Sequence, residues 1–313
     1  RLVPELFGEN NTHLEAIETA LSVQINTRGH EVVVTGATQP VRDAMQILEA
    51  LWHKLQQGEH VDATTVDSAL RFLQSRKRRK DDGNHGLTGF NERGAPIVTR
   101  KRRIDPRSPL QSAYIDSMRA NKLVFGLGPA GTGKTYLAIA MAVSMIENGT
   151  VEKIILSRPA VEAGEHLGFL PGDLKEKIDP YLRPLYDALF DTMSGERVNK
   201  MMASEEIEIA PLAFMRGRTL NNAFVILDEA QNTTPMQMKM FLTRAGENSR
   251  LVVTGDPSQT DLPEGKKSGL VEAMSILKDV EGIDFIRYTE KDVVRSALVT
   301  KIVQAYDKYE KKK

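Results

Sequence analysis

The sequence predicts an α/β protein in which a parallel β-sheet flanked by helices follows a small α+β domain. Three observations support this fold class. After residue 107, short apolar runs alternate with helical patterns, which is typical of a parallel sheet covered on both faces. A glycine-rich segment separates the first of these runs from its helix. Before residue 75, the pattern is instead helix, strand, strand, helix.

The distribution of charge divides the chain into three segments. The 313 residues carry 42 basic and 42 acidic side chains, but between Arg71 and Arg107 there are 12 Lys and Arg against 4 Asp and Glu. This basic stretch contains polar, glycine-containing sequence without apolar periodicity, which indicates a linker or an exposed loop. We therefore predict an α+β domain over 1–75, a basic linker over 76–106 and the larger domain over 107–313.

The elements of the first segment follow from hydrophobic spacing and turn residues. The predicted helices cover about 13–21, 40–58 and 62–74, and the predicted strands cover 23–26 and 31–35. This arrangement resembles most of a KH module, whose RNA-clamping loop is G-x-x-G. The corresponding stretch 8–11 lacks the second glycine. A packing or oligomerisation domain is therefore an equally supported interpretation.

The elements of the larger domain alternate along the chain. The predicted strands are 122–127, 151–157, 224–227, 251–254 and 282–286, and the most clearly bounded helices are 134–147 and 293–309. The strands are apolar over most of their length, which indicates strands buried on both faces.

Residues 128–135, GPAGTGKT, match the phosphate-binding pattern G-x-x-x-x-G-K-[ST]. Backbone amides of such a loop surround phosphate oxygens, and the helix that begins there directs its positive end at them. Lys134 is expected to reach the β- and γ-phosphates, and Thr135 to bind Mg²⁺. The predicted nucleotide-binding residues here are Gly128, Pro129, Ala130, Gly131, Thr132, Gly133, Lys134, Thr135 and Tyr136.

Two acids follow the apolar strand 223–227. In a parallel sheet, the carboxyl ends of the strands face the ligand crevice. Asp228 is therefore expected to hold Mg²⁺, and Glu229 to orient or deprotonate the attacking water. The alternative is that the acids cap the next helix.

The strand 251–253 precedes the segment Thr254–Gln259. Gln259 could sense the γ-phosphate and transmit its loss to a neighbouring loop. The alternative is an ordinary polar turn, since Gly-Asp-Pro is a common turn sequence.

These three motifs, in this order, resemble the ATPase motifs of superfamily 1 helicases. Residues 157–165, 167–173 and 214–220 bring the chain closer to the PhoH-like ATPases of bacteria, a resemblance that covers about 105–305 and the domain before it. The resemblance implies a cytoplasmic, phosphate-starvation-type protein with a RecA-like P-loop core. It further implies ATP and Mg²⁺ as ligands and an RNA-related role.

The helicase resemblance also suggests roles for side chains outside the three motifs. Gln111 lies where the adenine-binding glutamine of helicases is found, although a helix-surface glutamine is the alternative. Arg158 and residues 162–173 occupy the place of the strand-contacting motif, and ring assembly could use them equally well.

An arginine finger is expected because one RecA-like lobe leaves one side of the nucleotide open to water. The candidates are Arg216 and Arg218 on a polar loop and Arg295 near the start of the last helix. Each could instead form an ordinary surface ion pair. The resemblance suggests a hexameric ring that would supply the finger from a neighbouring subunit.

Two functions from different classes therefore remain. One is an RNA-associated, Mg²⁺-dependent ATPase, with RNA helicase activity left open. The other is an ATP-controlled assembly module with little turnover that recruits a ribonuclease, for which the family implies a YbeY-type endoribonuclease. A kinase is a weaker third, since no acceptor-binding lid is evident. The chain has no Cys and no long apolar run, so neither a thiol nucleophile nor a membrane span is expected.

Overall fold

The computed structural model describes residues 2–29, 31–78, 96–159, 174–263, 265–293 and 302, with backbone alone for 75–78 and 174–180. The chain divides into two compact units. The first comprises Arg1–Pro96 and Asp105–Ala113, and the second comprises Ile97–Ile104 and Tyr114–Lys313.

The first unit packs helices against a two-stranded antiparallel sheet. Its elements are α1 (Val3–Phe7), α2 (Thr12–Leu21), β1 (Gln24–Arg28), β2 (Glu31–Thr35), α3 (Thr38–Gln56) and α4 (Ala63–Arg78). The apolar residues that predicted α2 are buried, with Ile17 fully enclosed beside Ile47 and Leu51 of α3. The stretch 8–11 forms a 3-10 turn between α1 and α2 in which Gly8, Asn10 and Asn11 have positive φ.

Two parts of the predicted basic linker have regular secondary structure. Helix α4 continues to Arg78, and β3 (Ile97–Val98) pairs with β4 (Arg103–Ile104) in an antiparallel hairpin. The hairpin contacts the helix Lys134–Glu147, where Ser144 donates a hydrogen bond to the carbonyl of Val98 (2.8 Å). Residues 79–95 lie outside the described part of the chain.

The second unit is built on a six-stranded parallel sheet in the order β10-β5-β9-β8-β6-β7. The strands are β5 (Leu123–Leu127), β6 (Lys153–Arg158), β7 (Ile207–Pro211), β8 (Ala223–Leu227), β9 (Arg250–Gly255) and β10 (Ile283–Arg287). All neighbours run parallel, so all carboxyl ends meet at one edge. This sheet confirms the predicted fold class, and each predicted strand is present to within two residues at either end.

Helices cover both faces of this sheet. They are α5 (Pro109–Ala120), α6 (Lys134–Glu147), α7 (Leu174–Thr192), α8 (Gly195–Ala203), α9 (Pro235–Leu242) and α10 (Gly269–Ile276). One face packs on α9 and α10 through Phe125, Val253 and Phe241, all fully buried. Among the described residues, none of the helices combines the length and apolar character needed to cross a membrane. The predicted helix 293–309 lies almost entirely outside the described residues.

Two tyrosines pack tightly against the strand that leads into the phosphate loop. The rings of Tyr114 and Tyr288 meet edge to face, with their centroids 5.9 Å apart. A Cβ atom on Gly126 would lie 2.8 Å from the phenol oxygen of Tyr114, and one on Gly128 would lie 2.6 Å from the backbone oxygen of Tyr288. Only glycine therefore fits at these two positions without displacing the tyrosines.

Candidate functional site

The predicted phosphate loop lies between β5 and α6, at the carboxyl edge of the sheet. Gly128, Gly131 and Gly133 have φ values of 134°, 81° and 84°, a region that side-chain-bearing residues rarely adopt. The backbone N–H of Gly128 donates to the carbonyl of Gly255 at the end of β9 (3.0 Å). The glycines thus allow the tight turn that the motif predicted, and they set it beside the neighbouring strand.

The ammonium group of Lys134 is held over this loop. It donates hydrogen bonds to the carbonyl oxygens of Gly128 (2.6 Å) and Pro129 (2.7 Å). Burial lowers the pKa of Lys134, while the charges of Asp256, Asp228 and Glu229 act to raise it. A cation enclosed in this way interacts strongly with an anionic ligand, because little water screens it.

Asp228 joins the three motifs that the sequence placed far apart. Its side chain is buried at the end of β8, and its Oδ1 accepts hydroxyl hydrogen bonds from Thr135 and Thr254, both at 2.7 Å. Thr135 belongs to the phosphate loop and Thr254 to β9. The structure therefore brings together the two residues that the sequence proposed as Mg²⁺ ligands.

The donor atoms at this point suit Mg²⁺. A hydroxyl and a carboxylate provide oxygen ligands only, and Mg²⁺ usually binds one or two such protein groups together with waters and substrate phosphates. In the part of the chain that the structure describes, no group of three or more His, Asp or Glu side chains is arranged to hold a metal. A metal at Thr135 and Asp228 would therefore take its other ligands from waters and the nucleotide.

Glu229 occupies a strained position beside Asp228. Its φ of 52° lies in the left-handed region, which costs a non-glycine residue free energy and is common at functional sites. The carboxylate accepts hydrogen bonds from Nε2 of Gln231 (2.5 Å) and pairs with Nη2 of Arg158 (2.8 Å). The side chain makes no capping bond to the following turn, and α9 is capped by Thr234 instead. These contacts do not support the helix-cap interpretation of the acids.

The loop after β9 is connected to Glu229 through Gln231. The Oε1 atom of Gln231 accepts the backbone N–H of Asp256 (3.1 Å), and Asp256 itself is buried. Gln259 is exposed, and its backbone N–H closes a turn on the carbonyl of Asp256 (3.1 Å). The γ-phosphate sensing by Gln259 stays a prediction, although the turn connects this residue to the side chain that holds Glu229.

The candidate finger arginines differ in their surroundings. Arg218 forms a bidentate pair with Glu208, with both nitrogen–oxygen distances at 2.6 Å, and these hydrogen bonds raise the pKa of Arg218. Arg216 is exposed two residues earlier. Arg295 lies outside the described residues. Of the two arginines on this loop, Arg216 is the one that the described residues leave accessible to a neighbour.

Two further predicted residues have clear structural surroundings. Gln111 is buried rather than on the helix surface, and its Oε1 accepts the backbone N–H of Arg107 (2.7 Å). The hydroxyl of Tyr136 donates to Asp191 (2.7 Å), which also pairs with Arg102 of the basic hairpin. The hydrogen bond from Tyr136, followed by the charge of Arg102, lowers the pKa of Asp191.

Sequence reasoning did not place at this site three residues that the structure brings there. Thr254 and Asp256 lie in the motif from which only Gln259 was selected, and Arg158 was assigned to strand contact or assembly. Each lies within one residue of the carboxyl end of a parallel strand, and this position was the available signal. Residues 162–173, which were grouped with Arg158, lie outside the described residues.

Several known proteins are similar to this chain over most of its length. A family model described as "PhoH-like protein" matches residues 103–307. A "PhoH-like protein" of Bacillus subtilis (strain 168) is 48% identical over 97% of this chain and 93% of its own length. A protein with the same description in Mycobacterium tuberculosis (strain ATCC 25618 / H37Rv) is 48% identical over 99% of this chain and 86% of its own length. "Protein PhoH" of Escherichia coli (strain K12) is 41% identical over 75% of this chain and 68% of its length.

Proposed function

Because this chain belongs to the PhoH-like protein family, we propose that it binds ATP with Mg²⁺ and hydrolyses the γ-phosphate, acting on or with RNA as a ring-shaped oligomer. The observation that carries the proposal is the convergence of the phosphate loop, Asp228 and Glu229 at one edge of the sheet. Thr135 and Asp228, 93 residues apart in sequence, are joined by a 2.7 Å hydrogen bond there.

The residues of this chain divide the chemistry between them. The loop amides and Lys134 bind the phosphates, and Thr135 with Asp228 would hold Mg²⁺, which when bound neutralises charge on the β- and γ-phosphate oxygens. Glu229 orients a water for attack on the γ-phosphorus and accepts its proton. The phosphorus–oxygen bond to the β-phosphate then breaks, which leaves ADP and inorganic phosphate.

Steady-state phosphate release with and without RNA tests this proposal. Hydrolysis that requires Mg²⁺ and rises when single-stranded RNA is added supports the RNA-associated ATPase. Tight ATP binding with negligible turnover under both conditions supports an assembly module that recruits a ribonuclease of the YbeY type instead.

We expect polyanions to bind the basic segment 76–103 with a strong salt dependence. Neutralising each phosphate releases counterions, so log K falls with log salt by about 0.7 per contact for single strands. Lys101 and Arg102 already contact Phe190 and Asp191, so the test variant changes only residues 76–80 and Arg100 to Gln. Fluorescence anisotropy with an RNA oligonucleotide should show a flattened salt slope. The matched control, Lys101→Gln with Arg102→Gln, should change the slope less, and equal slopes for all three proteins would exclude this segment from the RNA path.

We expect Arg216 to complete the active site of a neighbouring subunit. A finger in trans typically contributes a factor of about 10³–10⁵ to the rate. Arg216→Ala should therefore abolish most hydrolysis. Mixing it with a Lys134→Ala subunit should restore some activity at interfaces where Lys134 of one subunit meets Arg216 of the other. The Arg218→Ala protein provides the comparison, because Arg218 is held by Glu208. A monomer by light scattering with full specific activity would refute the mechanism in trans and leave the ATPase proposal intact.

A further inference from the structure

Arg158 ends β6, which is hydrogen-bonded to β8 in the parallel sheet. The register pairs Ser157 with Leu227, so the residues that follow these two, Arg158 and Asp228, emerge side by side at the carboxyl edge. The Nε atom of Arg158 lies 3.7 Å from Oδ2 of Asp228, and its Nη2 atom lies 2.8 Å from Oε1 of Glu229. The side chain of Arg158 is 19% exposed, so solvent weakens these interactions less than at an open surface.

The same guanidinium is anchored on its other side. Its Nη1 atom donates a 2.6 Å hydrogen bond to the backbone carbonyl of Tyr181 in α7. The fork of an arginine is planar and rigid, so a contact that fixes one nitrogen also restricts the others. Helix α7 thus fixes the guanidinium group of Arg158, which pairs with Glu229.

The two donors leave Glu229 able to accept a further hydrogen bond. A carboxylate offers about four lone-pair sites. Arg158 uses one site on Oε1, and Gln231 uses one on Oε2, while the side chain remains 39% exposed. Two donors on different oxygens fix both the position and the rotation of the carboxylate, and lone pairs remain for a water.

We propose that Arg158 is a positioning residue that sets the orientation of Glu229 for hydrolysis by linking it to the carbonyl of Tyr181. The inference rests on the proposed function, since it concerns the same carboxylate. It differs from the strand-contacting role that the helicase resemblance suggested, because here Arg158 acts through Glu229 rather than by binding RNA.

A double-mutant cycle tests the inference. A misplaced catalytic group can lower the rate by a factor of about 10², so Arg158→Ala should lower kcat by about the same factor. The affinities for ATP and ADP, measured by calorimetry, should stay within about threefold of wild type, because the proposed role of Arg158 is to orient Glu229 and not to bind the phosphates. In a Glu229→Gln background, adding Arg158→Ala should change kcat less than about twofold, since residues that act as a unit are not additive. Arg158→Lys should recover part of the rate, because an ammonium can pair with Glu229 but cannot span to Tyr181 as well.

Arg119→Ala removes an arginine paired with Asp116 (3.5 Å), close to the start of β5 and therefore at the opposite edge of the sheet, and should leave kcat unchanged. Three results would each overturn the inference while the ATPase proposal stands. They are additive effects of Arg158→Ala and Glu229→Gln, an unchanged kcat in Arg158→Ala, and an affinity for ATP that falls in Arg158→Ala while the affinity for ADP does not. Absence of hydrolysis in the wild type would instead overturn the proposed function and the inference with it.

Discussion

Lys134→Ala should lower ATP hydrolysis by a factor of about 10²–10³ and weaken nucleotide binding. The ammonium is the cation placed on the phosphate loop, and it is buried among the loop carbonyls and close to three carboxylates. Without it, the negative charge that develops on the phosphates loses its nearest positive partner. Steady-state phosphate release and calorimetric titration with ATP measure the two effects separately.

A matched control for this substitution lies in the same unit. Lys122 is exposed immediately before β5, at the opposite edge of the sheet from the phosphate loop, so Lys122→Ala should hydrolyse ATP at the wild-type rate. Thermal unfolding of both variants shows whether either change disturbs the fold. Unchanged turnover in Lys134→Ala would remove the phosphate loop from the reaction.

Glu229→Gln should retain ATP binding while slowing hydrolysis by about 10²–10⁴. The amide preserves the size of the side chain and some of its hydrogen bonds with neighbouring groups, but it cannot accept a proton from the attacking water. Asp228→Asn is the informative companion, because it should raise the Mg²⁺ concentration needed for activity. Hydrolysis by both variants at the wild-type rate would mean that the two acids have a structural role alone.

Local sequence patterns were sufficient to predict most of the core. The glycines at 128, 131 and 133 predicted the turn that their positive φ values show, and the apolar run 223–227 predicted a strand whose every residue is buried. Strand β7 was missed because Ile207–Pro211 contains a Glu and lies at the sheet edge, where burial is partial. The hairpin Ile97–Ile104 was missed because strands of two residues carry no periodicity.

The contacts that organise the site depend on strand order, which periodicity does not reveal. The pairing of Arg158 with Glu229 exists because β6 lies beside β8, although 64 residues separate the two strands. Likewise, Thr254 reaches Asp228 because β9 lies on the other side of β8. Gln111 was expected either at the nucleotide or on a helix surface. The sequence pattern did not indicate that its side chain accepts a hydrogen bond from the backbone of Arg107.

Single-turnover conversion of ATP labelled at the γ-phosphate tests the central claim most directly. Wild type and Glu229→Gln, each in excess over ATP with Mg²⁺, are followed for release of labelled phosphate, with a chelator of Mg²⁺ as the blank. The phosphate loop and its two acids predict that the wild type converts the bound ATP to ADP and phosphate, whereas Glu229→Gln retains it intact. Bound ATP that stays intact in both proteins, with and without RNA, would contradict hydrolysis at this site.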